Sequence, residues 1–173
     1  MQVTLLTAWD ENRLIGNGSG LPWFVSEDLK LFKIRTHRQT VVFGLKTYMG
    51  LPYKPLPRRV NAVVMFKEEY ENFKFPRYTE SSQSYVIAAI NGVKEAINLS
   101  KRCFPDNEIF ICGGASIYKQ ALEQDLVDRM LVSVIPGEHE GDVYFPEFSG
   151  IWNRHVVERY NEFYVEEWIK DEK

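Results

Sequence analysis

Five short runs of apolar, largely β-branched residues recur along the chain: "VTLLTAW" (Val3–Trp9), "TVVFG" (Thr40–Gly44), "VNAVVMF" (Val60–Phe66), "EIFIC" (Glu108–Cys112) and "DRMLVSVIP" (Asp128–Pro136). Strands covered on both faces read as near-continuous apolar runs, because neither face meets water. Helical segments lie between them. Ser26 can cap a helix with Glu27 and Asp28 in its first turn and Leu29, Phe32 and Lys33 following at helical spacing. "KTYMGL" suits a short helix, Asn91 can cap "GVKEAINLSKR", and "ASIYKQALEQ" follows Gly113-Gly114. "PYKPLPRR" is a turn, and Lys67 to Ser84 reads as loop with a short helix. "YVIA" (Tyr85–Ala88) reads as an edge strand. "HVVERY" and "EFYVEEWIK", joined near Asn161-Glu162, predict a terminal antiparallel hairpin. Together these predict an α/β fold with a mixed, mainly parallel central sheet, helices on both faces and an antiparallel C-terminal end. With 173 residues, one domain over 1–173 and one core are expected.

Charge and cysteine usage narrow the function. The formal net charge is -3 and no basic run occurs, which argues against nucleic acid or an anionic membrane surface as partner. No apolar run approaches the ~18 residues a spanning helix needs. Cys103 and Cys112 form no C-x-x-C pair, and the N-terminus is not signal-like, so reduced thiols in a cytoplasmic protein are expected. His37, His139 and His155 are far apart in sequence and give little support to a metal site. A small-molecule pocket fits better, with an aromatic share of 14% to wall it. A monomer is expected.

In parallel sheets ligands bind beyond the carboxyl ends of the strands. Three candidate edges lie there: the loop after Trp9, the turn after Phe43, and Gly113-Gly114. The glycine pair suits either a phosphate at the following helix N-terminus or a tight turn without ligand. Gly44, Lys46 and Thr47 suit a similar site or a helix start with a solvated lysine. Acids in a first helical turn are usually solvated. Asp28, however, has Phe32 one turn along and Leu21 and Trp23 just before, so it would be partly desolvated. Glu27 should point about 100° away, towards solvent. Arg58-Arg59 suits a bidentate carboxylate site or a solvated turn.

In these residues the chain resembles dihydrofolate reductases along almost its whole length. The matching segments are Ile15-Gly16, "LPW" (Leu21–Trp23), "DL..FK..T" (Asp28 to Thr36), "G.KT" (Gly44 to Thr47), "PLP.R" (Pro55 to Arg59), "GG.S.Y" (Gly113 to Tyr118) and "EGDV.FPE" (Glu140 to Glu147). The resemblance implies reduction of 7,8-dihydrofolate to tetrahydrofolate with NADPH. Asp28 would orient the pterin, supported by Ser133. Leu21 would cover the reacting rings, Trp23 would anchor the loop and a bound water, and Tyr118 joins them at the reacting centre. Leu6, Ala8, Leu29, Phe32, Leu51 and Cys112 would contact the substrate, and Arg59 would fork onto its tail carboxylate. The cofactor would meet Ala8, Ile15 and Gly16 on one side and Gly44, Lys46, Thr47 and Lys67 on another. Its pyrophosphate would lie at Gly113, Gly114, Ala115, Ser116 and Ile117. The family also implies a cis Gly113–Gly114 peptide and a loop contact from Asp142. No metal is implied.

The sequence departs from the family at four places. Leu45 stands where a cation is usual, Met65-Phe66 where a hydroxyl or basic residue meets the 2′-phosphate, and Arg58 where glycine is usual. An extra residue lies between Gly50 and Pro55. Two other readings compete: a same-fold reductase acting on a pyrimidine of riboflavin synthesis, and a non-catalytic nucleotide-binding protein. The first would not need Asp28, and the second would show a damaged pocket.

Overall fold

The computed structural model describes residues 1–18, 20–72, 74 and 78–171. Its strands are β1 (Val3–Asp10), β2 (Leu14–Gly16), β3 (Thr40–Gly44), β4 (Val60–Val64), β5 (Tyr78–Thr79), β6 (Ser84–Ala89), β7 (Ile109–Ile111), β8 (Arg129–Ile135), β9 (Val143–Tyr144), β10 (Trp152–Arg159) and β11 (Tyr164–Lys170). Its helices are α1 (Ser26–Thr36), α2 (Leu45–Met49), α3 (Lys67–Asn72), α4 (Val93–Cys103) and α5 (Ala115–Glu123). Among the described residues, nine strands form one sheet in the order β10-β11-β8-β1-β7-β3-β4-β6-β5. The run from β8 to β6 is parallel. β11 joins β8 antiparallel and pairs with β10 as the expected hairpin.

Side chains that alternate along each strand fill two cores. On one face Val3, Leu5, Val42, Ala62, Ile109 and Ile111 pack against Val93, Ala96 and Ile97 of α4 and Ile117 and Ala121 of α5. On the other, Leu6, Val41, Phe43, Val63 and Phe110 pack with Tyr48 of α2 and Phe32 of α1. The apolar runs thus mark strands buried on both sides, with helices on both faces.

Three local expectations are corrected. The helix α1 begins with Ser26 already helical, and its hydroxyl makes no cap bond. The N-cap is Val25, extended at φ -120° and buried with Ile135, Phe163 and Val165. Packing of Val25, rather than hydroxyl chemistry, sets where the helix starts. The N-cap of α4 is Gly92, not Asn91. Instead the Glu95 carboxylate folds back to accept from the Asn91 backbone N–H at 2.8 Å and from its Nδ2 at 2.9 Å. β6 is not an edge strand, because β5 pairs along its outer side. β5 came from within the segment read as loop, which also contains α3; positions 73 and 75–77 of that segment lie outside the described residues. β2 and β9 pair with each other outside the main sheet, and at three and two residues they are too short to show a period.

Candidate active site

The strands β1, β7 and β3 are neighbours, so the three expected edges converge at one end of the sheet. The Ala8–Ser133 register pair joins β1 to β8. Ser133 is buried, and the Asp28 carboxylate reaches it from the first turn of α1 and accepts its hydroxyl hydrogen bond. Burial raises the Asp28 pKa, while the Ser133 hydrogen bond and the charge of Arg35 act against that rise. The acid is therefore charged at neutral pH only against a desolvation cost. Glu27, expected to be solvated, is half-buried as well.

Leu6, Phe32, Leu51 and Cys112 join a single apolar cluster, so four of the residues read as substrate contacts lie together. Burial pushes the Cys112 thiol well up, which keeps it protonated and apolar in character. Ala8 is half-buried. Leu29 is on the same helix as Asp28 but is 41% exposed, and Leu21 is 52% exposed. Trp23 packs beside Val25 and Ile135. Its Nε1 is buried and has no hydrogen-bond partner among the described residues.

Arg59 is 4% exposed. Its Nε donates to Thr36 Oγ1 at 2.8 Å, and its two terminal nitrogens donate to Pro57 O at 2.6 Å and Lys33 O at 3.1 Å. These bonds use three of the five guanidinium N–H donors, leaving two for a ligand.

On the other side, the Gly113–Gly114 peptide is cis, as the resemblance implied. Gly113 sits at φ +105°, and a Cβ there would lie 3.2 Å from the Tyr118 hydroxyl. Gly44 N donates to Gly113 O at 2.9 Å, and a Cβ on Gly114 would lie 3.3 Å from Thr47 Oγ1. The starts of α2 and α5 are therefore held edge to edge with bare backbone between them. Lys46 and Ser116 are exposed, Thr47 and Ala115 half-buried, and Ile117 buried against Gly44. Tyr118 is buried beneath this turn, with its hydroxyl donating to Leu6 O at 2.9 Å. Lys67 opens α3 and is exposed, but Glu68 and Glu69 follow it in the same turn. Leu45 packs into the second core and Met65 is buried there, so packing uses these two, whereas Phe66 is exposed and nothing in the structure explains it.

Ile15 is half-buried and Gly16 buried at the root of the loop that leads to Leu21. Gly16 O accepts from Asp142 N at 3.2 Å, and Gly18 N donates to Asp142 Oδ1 at 2.8 Å. The second anchor of this loop escaped the sequence reading. Asp10 is 1% exposed and accepts from the backbone N–H of Asn12 at 2.9 Å, Leu14 at 3.0 Å and His139 at 2.8 Å. Desolvation would raise its pKa, but these backbone bonds and the His139 side chain outweigh it and hold the carboxyl below its ordinary value. The only available signal was an acid closing an otherwise apolar strand. Among the described residues, no group of acids, histidines and cysteines could hold a metal ion, and no helix is long and apolar enough to cross a membrane.

Residues 2–165 match the family model described as dihydrofolate reductase. A dihydrofolate reductase of Neisseria gonorrhoeae is 33% identical over 149 residues, covering 86% of this chain and 82% of that protein. The dihydrofolate reductase type 1 of Escherichia coli is 33% identical over 147 residues, covering 85% of this chain and 83% of its own length. The dihydrofolate reductase of Bacillus subtilis is 31% identical over 147 residues, covering 85% and 77%.

Proposed function

This chain belongs to the dihydrofolate reductase family and is an oxidoreductase that reduces dihydrofolate; from that premise we propose that NADPH is the reductant, that Asp28 orients the pterin, and that the tetrahydrofolate formed serves one-carbon metabolism and thymidylate synthesis. The observation that carries the reading is the partly desolvated Asp28 carboxylate, braced by Ser133 beside the cluster containing Leu6, Phe32 and Leu51.

The cradle fits a dinucleotide. Glycines at 113 and 114 leave room that a Cβ would fill, and the N–H groups of Ala115 and Ser116 are free to meet a pyrophosphate, while Ile117 N already donates to Gly114 O at 3.0 Å. Gly113, Gly114, Ala115, Ser116 and Ile117 would hold that group, with Gly44, Lys46 and Thr47 facing them, Ala8, Ile15 and Gly16 at the nicotinamide end, and Lys67 near the 2′-phosphate. When bound, NADPH supplies the hydride that reaches C6 of dihydrofolate.

The protein's part is positioning. Asp28 accepts two hydrogen bonds from the 2-amino and N3 side of the pterin, fixing the ring's orientation. A water supplies the proton at N5, and the buried, unpartnered Nε1 of Trp23 is suited to hold it, since a buried donor without a partner is costly. Leu21 closes over the rings and excludes water from the hydride step. Leu29 and Cys112 complete the apolar wall, and Arg59 takes the tail carboxylate on its two free N–H groups. Tyr118, protonated because burial pushes its hydroxyl well up, supports the floor of the reacting centre. The test is whether absorbance of the reduced nicotinamide falls on adding dihydrofolate and stays unchanged without it. Turnover of a riboflavin-pathway pyrimidine, unaffected by Asp28→Asn, would support the other same-fold reductase instead.

A further inference from the structure

At the amino-terminal edge of the parallel strands, sharing Arg59 with the site described above, lies a cavity of about 200 Å³ lined by Arg38, Arg58, Arg59, Gln83, Tyr85 and Phe104, with Val60 and Asn107. Its wall is unusual in backbone conformation. Five non-glycine residues among those described have positive φ, and three of them line this one cavity: Arg38 at +59°, Arg58 at +54° and Gln83 at +49°. The left-handed region is unfavourable for any residue with a Cβ, and glycine is its usual occupant. At 58 the resemblance itself led one to expect glycine. Long polar side chains therefore stand where glycine would be unstrained, and such conformations concentrate at ligand sites.

The two arginines are locked side by side. Arg38 N donates to Arg58 O at 2.9 Å, and Arg58 N donates to Ser82 O at 2.8 Å. Neither guanidinium has an ion-pair or hydrogen-bond partner among the described residues, in contrast to Arg35, which pairs with Glu158, and Arg129, which pairs with Glu167. No acid is among the lining residues. The neighbouring His37 reports the resulting field: its pKa is lowered by desolvation and then by the charges of Arg38, Arg59, Arg58 and Lys33, with no carboxylate opposing them. Tyr85 and Phe104 pack at a tilt of 58° with ring centroids 4.9 Å apart and give the cavity an aromatic wall.

We propose that this cavity is a binding site for a small multivalent oxyanion, gripped by Arg38 and Arg58 and oriented by the amides of Gln83 and Asn107. Planar guanidinium forks suit phosphate and carboxylate groups, and the two hydrogen-bonded backbones root both exposed side chains at one cavity. The anion can be free in solution, or it can be a further carboxylate on a ligand whose first carboxylate sits on Arg59; the second source rests on the function proposed above.

Titration calorimetry with inorganic pyrophosphate at low salt tests the site. The wild type should show saturable binding, and Arg38→Gly and Arg58→Gly should each weaken it by roughly ten- to a hundredfold, the loss of charge-assisted contacts. Lys46→Ala, altered only in the proposed cofactor cradle, should leave this binding event in place. Because both glycine variants occupy a region that glycine prefers, their melting temperatures should stay within a few degrees of wild type, and turnover at saturating substrate should be unchanged. Absence of saturable binding, or binding equal in wild type and both glycine variants, overturns the proposal, as does its loss in Lys46→Ala alone. The source is read from KM for dihydrofolate with one terminal glutamate and with several γ-linked glutamates. An advantage for the longer tail that disappears in Arg58→Gly assigns the anion to the substrate, and no advantage with pyrophosphate binding intact assigns it to a free ion.

Discussion

Two aspartates lie at the same end of the sheet and are pushed in opposite directions. Asp10, at the end of β1, is fully enclosed yet held below its ordinary pKa, because three backbone N–H groups and His139 point at it. Asp28, on α1, is less closed to solvent yet raised, because burial is opposed only by Ser133 and the charge of Arg35. Both donors and depth differ: Asp10, though closed to solvent, meets several donors, while Asp28 sits deeper among protein atoms and meets one. A carboxylate saturated by the fold is a structural pin. One left short of donors has capacity for a ligand, at a cost to the free protein.

The largest expected effect is on turnover. Asp28→Asn keeps the shape but removes the charge proposed to meet two pterin donors, and two charge-assisted bonds of this kind amount to about 3–4 kcal/mol, or roughly 10²–10³-fold in rate at neutral pH. The stability of the free protein should move the other way. A carboxyl whose folded pKa is raised destabilises the fold above that pKa, and the penalty fades as pH falls through it towards the unfolded value. Asp28→Asn should therefore melt no lower than wild type at neutral pH, and any advantage should vanish under acid. Turnover within a few-fold of wild type would remove the role given to Asp28.

Asp10→Asn should show the mirror image. The amide keeps an acceptor but turns an NH₂ towards the His139 N–H, a loss of about 2–3 kcal/mol to be read from denaturant midpoints. The wild-type contribution is complete above the unfolded carboxyl pKa and is lost as pH falls through the lower folded one. In Asp10→Asn that acid-dependent part should be absent. If the two variants destabilise alike, donor count is not what separates the sites.

Arg59 extends the comparison to a buried cation with three donors used and two free. Arg59→Ala should raise KM for substrates with a glutamate tail by about 1.5–3 kcal/mol, some ten- to a hundredfold, while compact antifolates without the tail bind nearly as before. It should also lower stability, because the variant strips Thr36 and two carbonyls of their partner. Equal weakening of both ligand classes would leave only that structural part.

Ser133→Ala removes the one hydroxyl bracing Asp28, worth about 0.5–1.5 kcal/mol. Its pKa should rise further, and the acid limb of the kcat/KM profile should shift to higher pH; an unmoved limb would detach Ser133 from Asp28. The smallest effects belong to solvated charges. Lys46→Ala and Lys67→Ala should each reduce the preference for NADPH over NADH by about 0.2–1 kcal/mol, with less effect at high salt. The acids beside Lys67 in α3 push in the same direction as the apolar Leu45 and Met65, so a wild-type preference of only roughly ten- to a hundredfold is expected. A ratio of catalytic efficiencies near one, or indifferent to both lysines, would displace the phosphate from this edge.

Much of this was legible because it is periodic or local. The runs Val3–Trp9 and Val60–Phe66 announced strands buried on both faces, and the segments from Leu21 to Thr36 and from Gly113 to Tyr118 carried the family. Two-residue strands, by contrast, have no period to read, so β5 and β9 were found only in the structure. Helix starts were misplaced where packing outweighed side-chain chemistry: the buried Val25 set the start of α1, and Glu95, not Asn91, closed the start of α4.

By itself, the order of apolar runs and turn residues determined that this chain forms a mainly parallel sheet with a ligand edge, because backbone pairing and burial follow from sequence pattern. It also placed Asp28, Arg59 and the glycine pair among the candidates. Only the tertiary structure decided what each charge does. Asp10 became a pin when a loop 129 residues away presented its N–H, and Asp28 kept unmet acceptor capacity because β8 offered it one hydroxyl. A carboxylate's pKa is set by donors and burial, and both are supplied by residues that are neighbours only after folding.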